Sequence, residues 1–471
     1  MTSRAAIMLI TPNWRWDNTP LPTDTLHPPV SPPVEMAYIS TGLGCEHHYI
    51  DAYGADLTPG ELAGQIEHFA PATVVITTAP SLLYWRCPPF TIDAVTLAVE
   101  ACRLACAAET IIIGPHASFS PEWVLARTGA DACWLGAVEK DFPCWLSSGL
   151  RDSRHVHRDG AGAEICVEHP ANLPAARMSI FDFALPYVPH MWCVTDSERA
   201  VAASQRIGAL GETSRGCPWS CVYCAKAPIR DKFARRPTAT LKQEWEQLDE
   251  LGVDYVFFID ETFNLGNRHL DSVLDALEEL PLRFGFQGRP ELISAHQAER
   301  LAAAGCVYAE LGIDVGTTSL SADLGRRQSV DDARSGIEQC RAAIPIVRYN
   351  RLNLSTLDYR SRLGITDDGW DYPPDPAYPY PGAPLGDLVM GLYSRDSFDW
   401  DFALRYSWWL RIEVALQRSG EPPDDRELAA EQARFLALPD AEAHALAQSM
   451  DGIQHDPQFR VANKYIRGAA A

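Results

Sequence analysis

Three cysteines within eight residues constrain this chain more than any other feature of its sequence. Residues 214–226 read SRGCPWSCVYCAK, so Cys217, Cys221 and Cys224 are spaced C-x3-C-x2-C. The apolar run IGAL at 207–210 reads as a strand just before them, and Arg215-Gly216 leads into the loop. A flexible loop lets three thiolates point at a common centre. A 4Fe-4S cluster normally takes four cysteine ligands. A loop that supplies three leaves one iron open to a small molecule, as a catalytic zinc site keeps one free position. The same spacing also suits a zinc or cluster staple whose fourth ligand lies elsewhere.

The other cysteines read as ordinary. There are 13 in 471 residues, an odd number with no signal peptide, which argues against a disulfide scaffold and for a reducing cytoplasm. Cys102 and Cys106 fall on a helical pattern as small core residues, and Cys45, Cys133, Cys166 and Cys193 have no partner at ligand spacing. The opening MTSRAAIMLITPNW reads as a first buried strand, not a secretory signal. No apolar run reaches the roughly 18 residues of a membrane span. A formal net charge of −22 disfavours nucleic acid as the main partner, because phosphate binding needs a basic footprint.

Strand and helix patterns alternate on both sides of the loop. Between 207 and 340 they predict a partial (β/α) barrel, in which sites gather at the C-terminal ends of strands. Tyr255–Ile259 is an unbroken apolar run, as a buried parallel strand should be, and Asp260-Glu261 ends it. RFGFQGRP forms the next strand, and the one after it ends at Asp314. Residues 1–148 predict a doubly wound α/β domain with strands at 5–12, 47–53, 73–80, 109–118 and 131–142. G-x-G-x-x-G is missing after its first strand, so a dinucleotide site is not expected. The expected boundaries are 1–148, a linker at 149–206, the barrel at 207–357 and a C-terminal region at 358–471.

The cysteine motif after a strand, with the aromatic Tyr223 before the last cysteine, resembles the radical S-adenosylmethionine (SAM) enzymes. The resemblance implies a 4Fe-4S cluster on Cys217, Cys221 and Cys224, with SAM chelated at the open iron and cleaved to a 5′-deoxyadenosyl radical. It places Tyr223 against the adenine and Glu261 at the SAM ammonium. It also implies Arg289 at a strand end, Asp314 at the ribose hydroxyls and Arg327 near the SAM carboxylate. An α/β domain before such a motif resembles the cobalamin-binding domain of cobalamin-dependent radical SAM enzymes. That carries over Thr77 and Thr78, then Gly114, Pro115 and His116, then Gly136 and Glu139, as loop ends facing the corrin. In Asp51-Ala52-Tyr53-Gly54-Ala55-Asp56, tyrosine stands where the cobalamin motif D-x-H-x-x-G has its cobalt-binding histidine. No histidine ligand is therefore expected from that segment.

After a helix at 330–343, IPIVRYNRLNLSTLDYR follows with no intervening helix, so the barrel reads as shortened by about one βα unit. The aromatic and proline-rich stretch 358–384 predicts irregular structure, and 402–420 and 426–450 predict amphipathic helices, with Trp408 and Trp409 as packing residues. The expected protein is a cytoplasmic cobalamin-dependent radical SAM methyltransferase acting on carbon of a small metabolite or short peptide. The resemblance implies an electron donor such as flavodoxin or ferredoxin, and neither nucleic acid nor membrane as partner. Three alternatives stay open: a ring contraction or cyclisation, a radical SAM enzyme without cobalamin, and a non-catalytic iron–sulfur protein. No catalytic side chain is assigned at this level.

Overall fold

The computed structural model describes residues 7–16, 30–83, 87–158, 162–193, 195–225, 230, 232–314, 318–353, 375–393, 398–417 and 423–450. The chain divides into two compact units. One comprises Met1–His190, Ala203–Pro218 and Lys226–Phe286; the other comprises Met191–Ala202, Trp219–Ala225 and Gln287–Ala471.

In chain order the first unit begins with β1 (Ile7–Thr11), α1 (Val34–Gly42), β2 (His47–Asp51), α2 (Pro59–Phe69), β3 (Thr73–Thr77) and α3 (Asp93–Ala105). It continues with β4 (Glu109–Ile113), α4 (Pro115–Phe119), α5 (Pro121–Thr128), β5 (Ala132–Trp134), α6 (Asp141–Ser148) and β6 (Val156–His157). The sheet order is β2-β1-β3-β4-β5-β6, parallel except for β6. Its central strands carry Leu9, Ile10, Val75, Ile76, Ile111 and Ile112, all fully buried, as a sheet covered by helices on its faces requires.

All five expected strands ended later than the observed ones, two of them by several residues. The run at 109–118 stops at Ile113, because Gly114 takes φ 114° and Pro115 opens α4, its missing N–H costing nothing at a helix start. The run at 131–142 stops at Trp134, and its last two residues begin α6.

α7 (Asp196–Ala203) leads to β7 (Gly208–Gly211) and the short hairpin of β8 (Ser214–Arg215) and β9 (Ala234–Arg235). Then come α8 (Thr238–Glu250), β10 (Tyr255–Phe258), α9 (Asn267–Glu278) and β11 (Arg283–Gly288). β7 and β11 flank β10, both parallel to it. These are the first three expected barrel strands. β11 passes from one unit into the other after Phe286.

The second unit contains α10 (Ala295–Ala303), β12 (Cys306–Asp314), α11 (Thr318–Asp323), α12 (Val330–Ala343), β13 (Ile346–Asn353) and β14 (Asp375–Pro376). β13 lies between β12 and β14, parallel to both. Residues 354–374, on which the expected shortening turns, lie outside the described residues. Among the described residues four helices follow: α13 (Pro384–Tyr393), α14 (Trp400–Gln417), α15 (Asp425–Leu436) and α16 (Asp440–Met450). The single helix expected at 426–450 is two, because Pro439 cannot continue the hydrogen-bond ladder. Trp408 and Trp409 are buried, stacked on His444 and tilted against Phe435 at ring distances of 5.0 and 5.9 Å.

Candidate active site

The cysteine segment is divided between the units: Cys217 belongs to the first, Cys221 and Cys224 to the second. In the first unit, Asp260 follows β10 and is fully buried. It accepts from the Thr213 amide at 2.9 Å and from the Thr213 and Ser214 hydroxyls at 2.6 Å each. Burial raises its pKa to about 6 against the lowering effect of those hydrogen bonds. Glu261, next along, accepts the Gly216 amide at 2.8 Å on one oxygen and Arg230 at 2.6 Å on the other. Gly216 takes φ 81°, and a Cβ there would overlap the Lys232 carbonyl, so the residue before Cys217 has to be glycine. Cys217 Sγ lies 3.8 Å from the Thr262 hydroxyl.

In the second unit, the Val222 amide donates to the Leu324 carbonyl at 3.1 Å, and the Val222 carbonyl accepts the Leu385 amide at 2.8 Å. The Arg289 guanidinium lies 3.8 Å from the centre of the Trp219 ring. Cys221 is buried and Cys224 half-buried, joined by a 3.1 Å backbone hydrogen bond from the Cys224 amide. None of the 13 cysteines is in a disulfide. Three thiols within eight residues of sequence are the soft donor type that an iron–sulfur cluster takes.

The remaining expected SAM contacts are placed as follows. Tyr223 is half-buried in the loop. Arg289 is buried, bonded to Glu291 at 2.5 Å and to the Arg326 carbonyl at 2.9 Å. Asp314 is the last residue of β12, just past a register shift at Gly312. Arg327 is exposed with φ 55°, whereas its neighbour Arg326 is buried and donates to the Gly312 carbonyl. Sequence reasoning missed Glu310, a buried carboxylate on β12. It accepts from Gln287 at 2.8 Å, Tyr308 at 3.0 Å and Asn350 at 2.9 Å. Its signal is a lone acid inside the apolar run YAELGI.

At the strand ends of the N-terminal sheet, Thr77 donates to the Ala79 carbonyl at 3.2 Å, and the fully buried Thr78 hydroxyl has no hydrogen-bond partner. His116 is fully buried, with Nε2 2.6 Å from the Pro89 carbonyl oxygen, and burial pushes its pKa down to about 4. Gly136 takes φ 94°, and its crowding partner is the Cys166 backbone of its own unit.

Glu139 leads into a small cleft of about 30 Å³ within the first unit. The cleft's charged lining is Glu35, Glu139, Glu212, Arg215, Arg230 and Glu261, and Val34, Leu82 and Ile259 add apolar wall. Arg215 bridges Glu139 at 2.5 Å and Glu212 at 2.7 Å, and Arg230 bridges Glu212 at 2.7 Å and Glu261 at 2.6 Å. Burial alone would raise the Glu212 pKa, but Arg215, Arg230 and Arg236 bring it down to about 2. Glu35 goes the other way. It lies in the first turn of α1, takes a hydrogen bond from Ser81, and burial pushes its pKa up to about 7. Its signal was a single acid in the apolar stretch PPVEMAYIS.

Asp141, His155 and Cys166 bring ligand atoms within 4.8 Å of one another, a proximity their sequence spacing hides.

Residues 212–360 match the radical SAM superfamily. That match covers about a third of the chain and begins just before the three cysteines. Among curated proteins, the chain is 25% identical over 321 residues to an uncharacterized methyltransferase of Pyrococcus horikoshii, covering 64% of this chain and 66% of that one. It is 32% identical over 122 residues to tryptophan 2-C-methyltransferase of Streptomyces laurentii, covering 23% of this chain and 20% of that one. The match thus spans just under two thirds of the first relative and a fifth of the second. Its fold is that of two solved cobalamin-dependent and methyltransferase members of the superfamily. The first is the radical SAM methyltransferase TsrM of Kitasatospora setae, solved with tryptophan and a SAM analogue. It matches with a TM-score of 0.60 at 18% identity, over 83% of this chain and 77% of that one. The cobalamin-dependent SAM radical enzyme OxsB, solved with aqua-cobalamin, matches with a TM-score of 0.58 at 13% identity, over 94% and 72%. Among the described residues, no helix is long and apolar enough to cross a membrane.

Proposed function

We propose that this chain is a cobalamin-dependent radical SAM enzyme that methylates a carbon of a small molecule, with tryptophan the first candidate to assay. The observation that carries this reading is the anchored loop. Gly216, Glu261, Arg230 and Asp260 fix the start of a three-cysteine loop at the C-terminal ends of β7 and β10, inside the region of superfamily match. Cys217, Cys221 and Cys224 would hold the cluster. Thr77, Thr78 and the Gly114–His116 turn would meet the corrin and its tail. The unpartnered, buried Thr78 hydroxyl suits a polar ligand group at that strand end. When bound, the cluster would supply the electron that cleaves SAM, and cobalamin would carry the methyl group. The chain's own residues bind, orient and exclude water. Tyr223 and Asp314 would meet SAM, and a small redox protein such as flavodoxin or ferredoxin would supply electrons. Acidity argues for a small substrate over RNA.

The test is anaerobic turnover by protein reconstituted with iron, sulfide and hydroxocobalamin, given methyl-deuterated SAM, reductant and tryptophan. A tryptophan product heavier by one deuterated methyl group is expected. A cluster band with no SAM consumption would favour the non-catalytic iron–sulfur reading. SAM consumption without bound cobalamin would favour a radical SAM enzyme lacking that cofactor.

A further inference from the structure

The turn after β5 holds His155 and Cys166 side by side. The Leu135 amide donates to the His155 carbonyl at 3.0 Å, and the Leu135 carbonyl accepts the Cys166 amide at 2.8 Å. The Ala137 amide donates to the Cys166 carbonyl at 2.9 Å. Asp141 joins them from the first turn of α6. All three residues belong to the first unit; His155 and Cys166 are buried and Asp141 is exposed. One ligand atom from each lies within 4.8 Å of the other two. Three points so spaced share a centre no more than about 2.8 Å from each, so metal bonds of about 2.0–2.3 Å need each atom to move less than about 1 Å. His155 Nδ1 lies 2.8 Å from the Glu164 carbonyl oxygen. A carbonyl only accepts, so Nδ1 carries the ring proton and Nε2 keeps its lone pair, as in a metal-binding histidine. The exposed Arg154 donates to that lone pair at 3.0 Å. Glu168 Oε1 accepts from the Lys140 and Asp141 amides at 3.0 and 2.8 Å and lies 3.9 Å from Cys166 Sγ. Glu168 Oε2 is buried with no hydrogen-bond partner, an orphan that an ion accounts for. Around the buried thiol, three carboxyls, Glu168, Asp141 and Glu139, act against Arg154, an excess that a dication offsets.

We propose that His155 Nε2, Cys166 Sγ and the carboxylates of Asp141 and Glu168 form a four-ligand zinc site. Thiolate and imidazole donors select zinc over magnesium or calcium, which take oxygen ligands. Four protein ligands leave no open position, so the ion is structural. It ties the start of α6 and the residues on either side of β6 to one point beside the Leu135–Ala137 turn. Binding forms a zinc–sulfur bond and releases the Cys166 proton to solvent, with no change of oxidation state. The ion enters past the exposed side chains of Asp141 and Arg154. The site needs neither the three-cysteine loop nor cobalamin, and it stands apart from the methyltransferase reading.

The test is metal binding by the full chain carrying Cys217→Ala, Cys221→Ala and Cys224→Ala, so that the loop offers no thiols. The protein is stripped with a chelator, kept anaerobic and titrated with Zn²⁺, Co²⁺ and Mg²⁺. One zinc per chain should remain after desalting, and Mg²⁺ should not displace it. Co²⁺ should give tetrahedral ligand-field bands and a sulfur-to-cobalt charge-transfer band, both bleached by Zn²⁺. Adding Cys166→Ser should abolish the charge-transfer band. His155→Ala or Glu168→Gln should weaken zinc binding at least about tenfold. Zinc-edge X-ray absorption, taken with the four ligands unsubstituted, should show one sulfur and three nitrogen or oxygen neighbours, and so does not depend on how the ligand variants fold. The parent, its loop filled by iron and sulfide, should also retain one zinc per chain, which guards against a misfolded triple variant. No zinc in either preparation, displacement by Mg²⁺, or two or more sulfur neighbours overturns the site. So does a charge-transfer band that survives Cys166→Ser, or zinc binding unchanged by His155→Ala.

Discussion

Glycine 216 and two buried carboxyls show how much single residues decide here. Gly216 sits at φ 81° against the Lys232 backbone, and its amide is held by Glu261. Alanine would meet both the steric cost of a left-handed residue, about 1–2 kcal/mol, and a backbone clash that no rotamer relieves. Gly216→Ala should therefore leave the far-ultraviolet circular dichroism near that of the parent and cut iron bound after reconstitution to less than half. Parent-level iron would show that the turn does not position Cys217. Glu35 supplies a pH signature. Its native pKa of about 7 lies above its ordinary value of 4.5, so the folded state holds the proton more tightly than the unfolded chain. Its contribution is full below about pH 4.5 and is lost as pH rises through 7. The upper bound is about 3 kcal/mol, at 1.36 kcal/mol per pH unit. A neutral glutamine carries no such loss. Glu35→Gln should accordingly be more stable than the parent at pH 8 and near parity at pH 5, in urea unfolding of protein without cofactors. An equal gap at both pH values would mean that Glu35 does not titrate in this window.

At the scale of elements, the parallel strands were legible because a strand buried on both faces is a continuous apolar run, as in TVVIT of β3, ETIII of β4 and YVFF of β10. The two-residue strands β6, β8, β9 and β14 were not, since pairing partners far along the chain define them. The cysteine spacing and the strand-end place of Glu261 could be read directly from sequence, but its described partners, the Gly216 amide and Arg230, were not expected. The arginines that hold Glu261 and Glu212 could not, because a buried ion pair needs no particular spacing. The same holds for Arg236, just after β9, which has no exposed side-chain surface. It bonds Glu244 of α8 at 2.8 Å, the Glu212 carbonyl at 2.8 Å and the Pro174 carbonyl at 3.1 Å. Removing one partner of a buried pair strands the other charge, at about 3–5 kcal/mol. Arg236→Leu should lower the midpoint of thermal unfolding by several degrees, and adding Glu244→Leu should restore part of it. A double variant less stable than the single one by the full cost of a second independent substitution would show that the pair is not coupled.

For the whole molecule, the question is where among thirteen thiols a cluster would sit. Burial pushes Cys102, Cys166 and Cys340 up to about 12 and Cys193 to about 11, and raises Cys133 and Cys306 as well. These six are buried, and thiols so placed scarcely form the thiolate that alkylates. Cys144 is exposed, and Cys45, Cys87, Cys106, Cys217 and Cys224 are half-buried. In anaerobic protein without iron, iodoacetamide at pH 7.5 should therefore label Cys144 fastest, the half-buried thiols more slowly and the six buried ones least. Cys221, buried but on the loop, should fall between the last two groups. Reconstitution with iron and sulfide should then protect Cys217, Cys221 and Cys224 together and leave Cys45, Cys87, Cys106 and Cys144 unchanged. Peptide mass spectrometry reads each site separately. Protection of Cys166 instead would point to iron beside Asp141 and His155, where ligand atoms also converge, and not to the loop. Protection of only one or two of the three loop thiols would contradict a site-differentiated cluster, because an open iron requires that the other three be held at once.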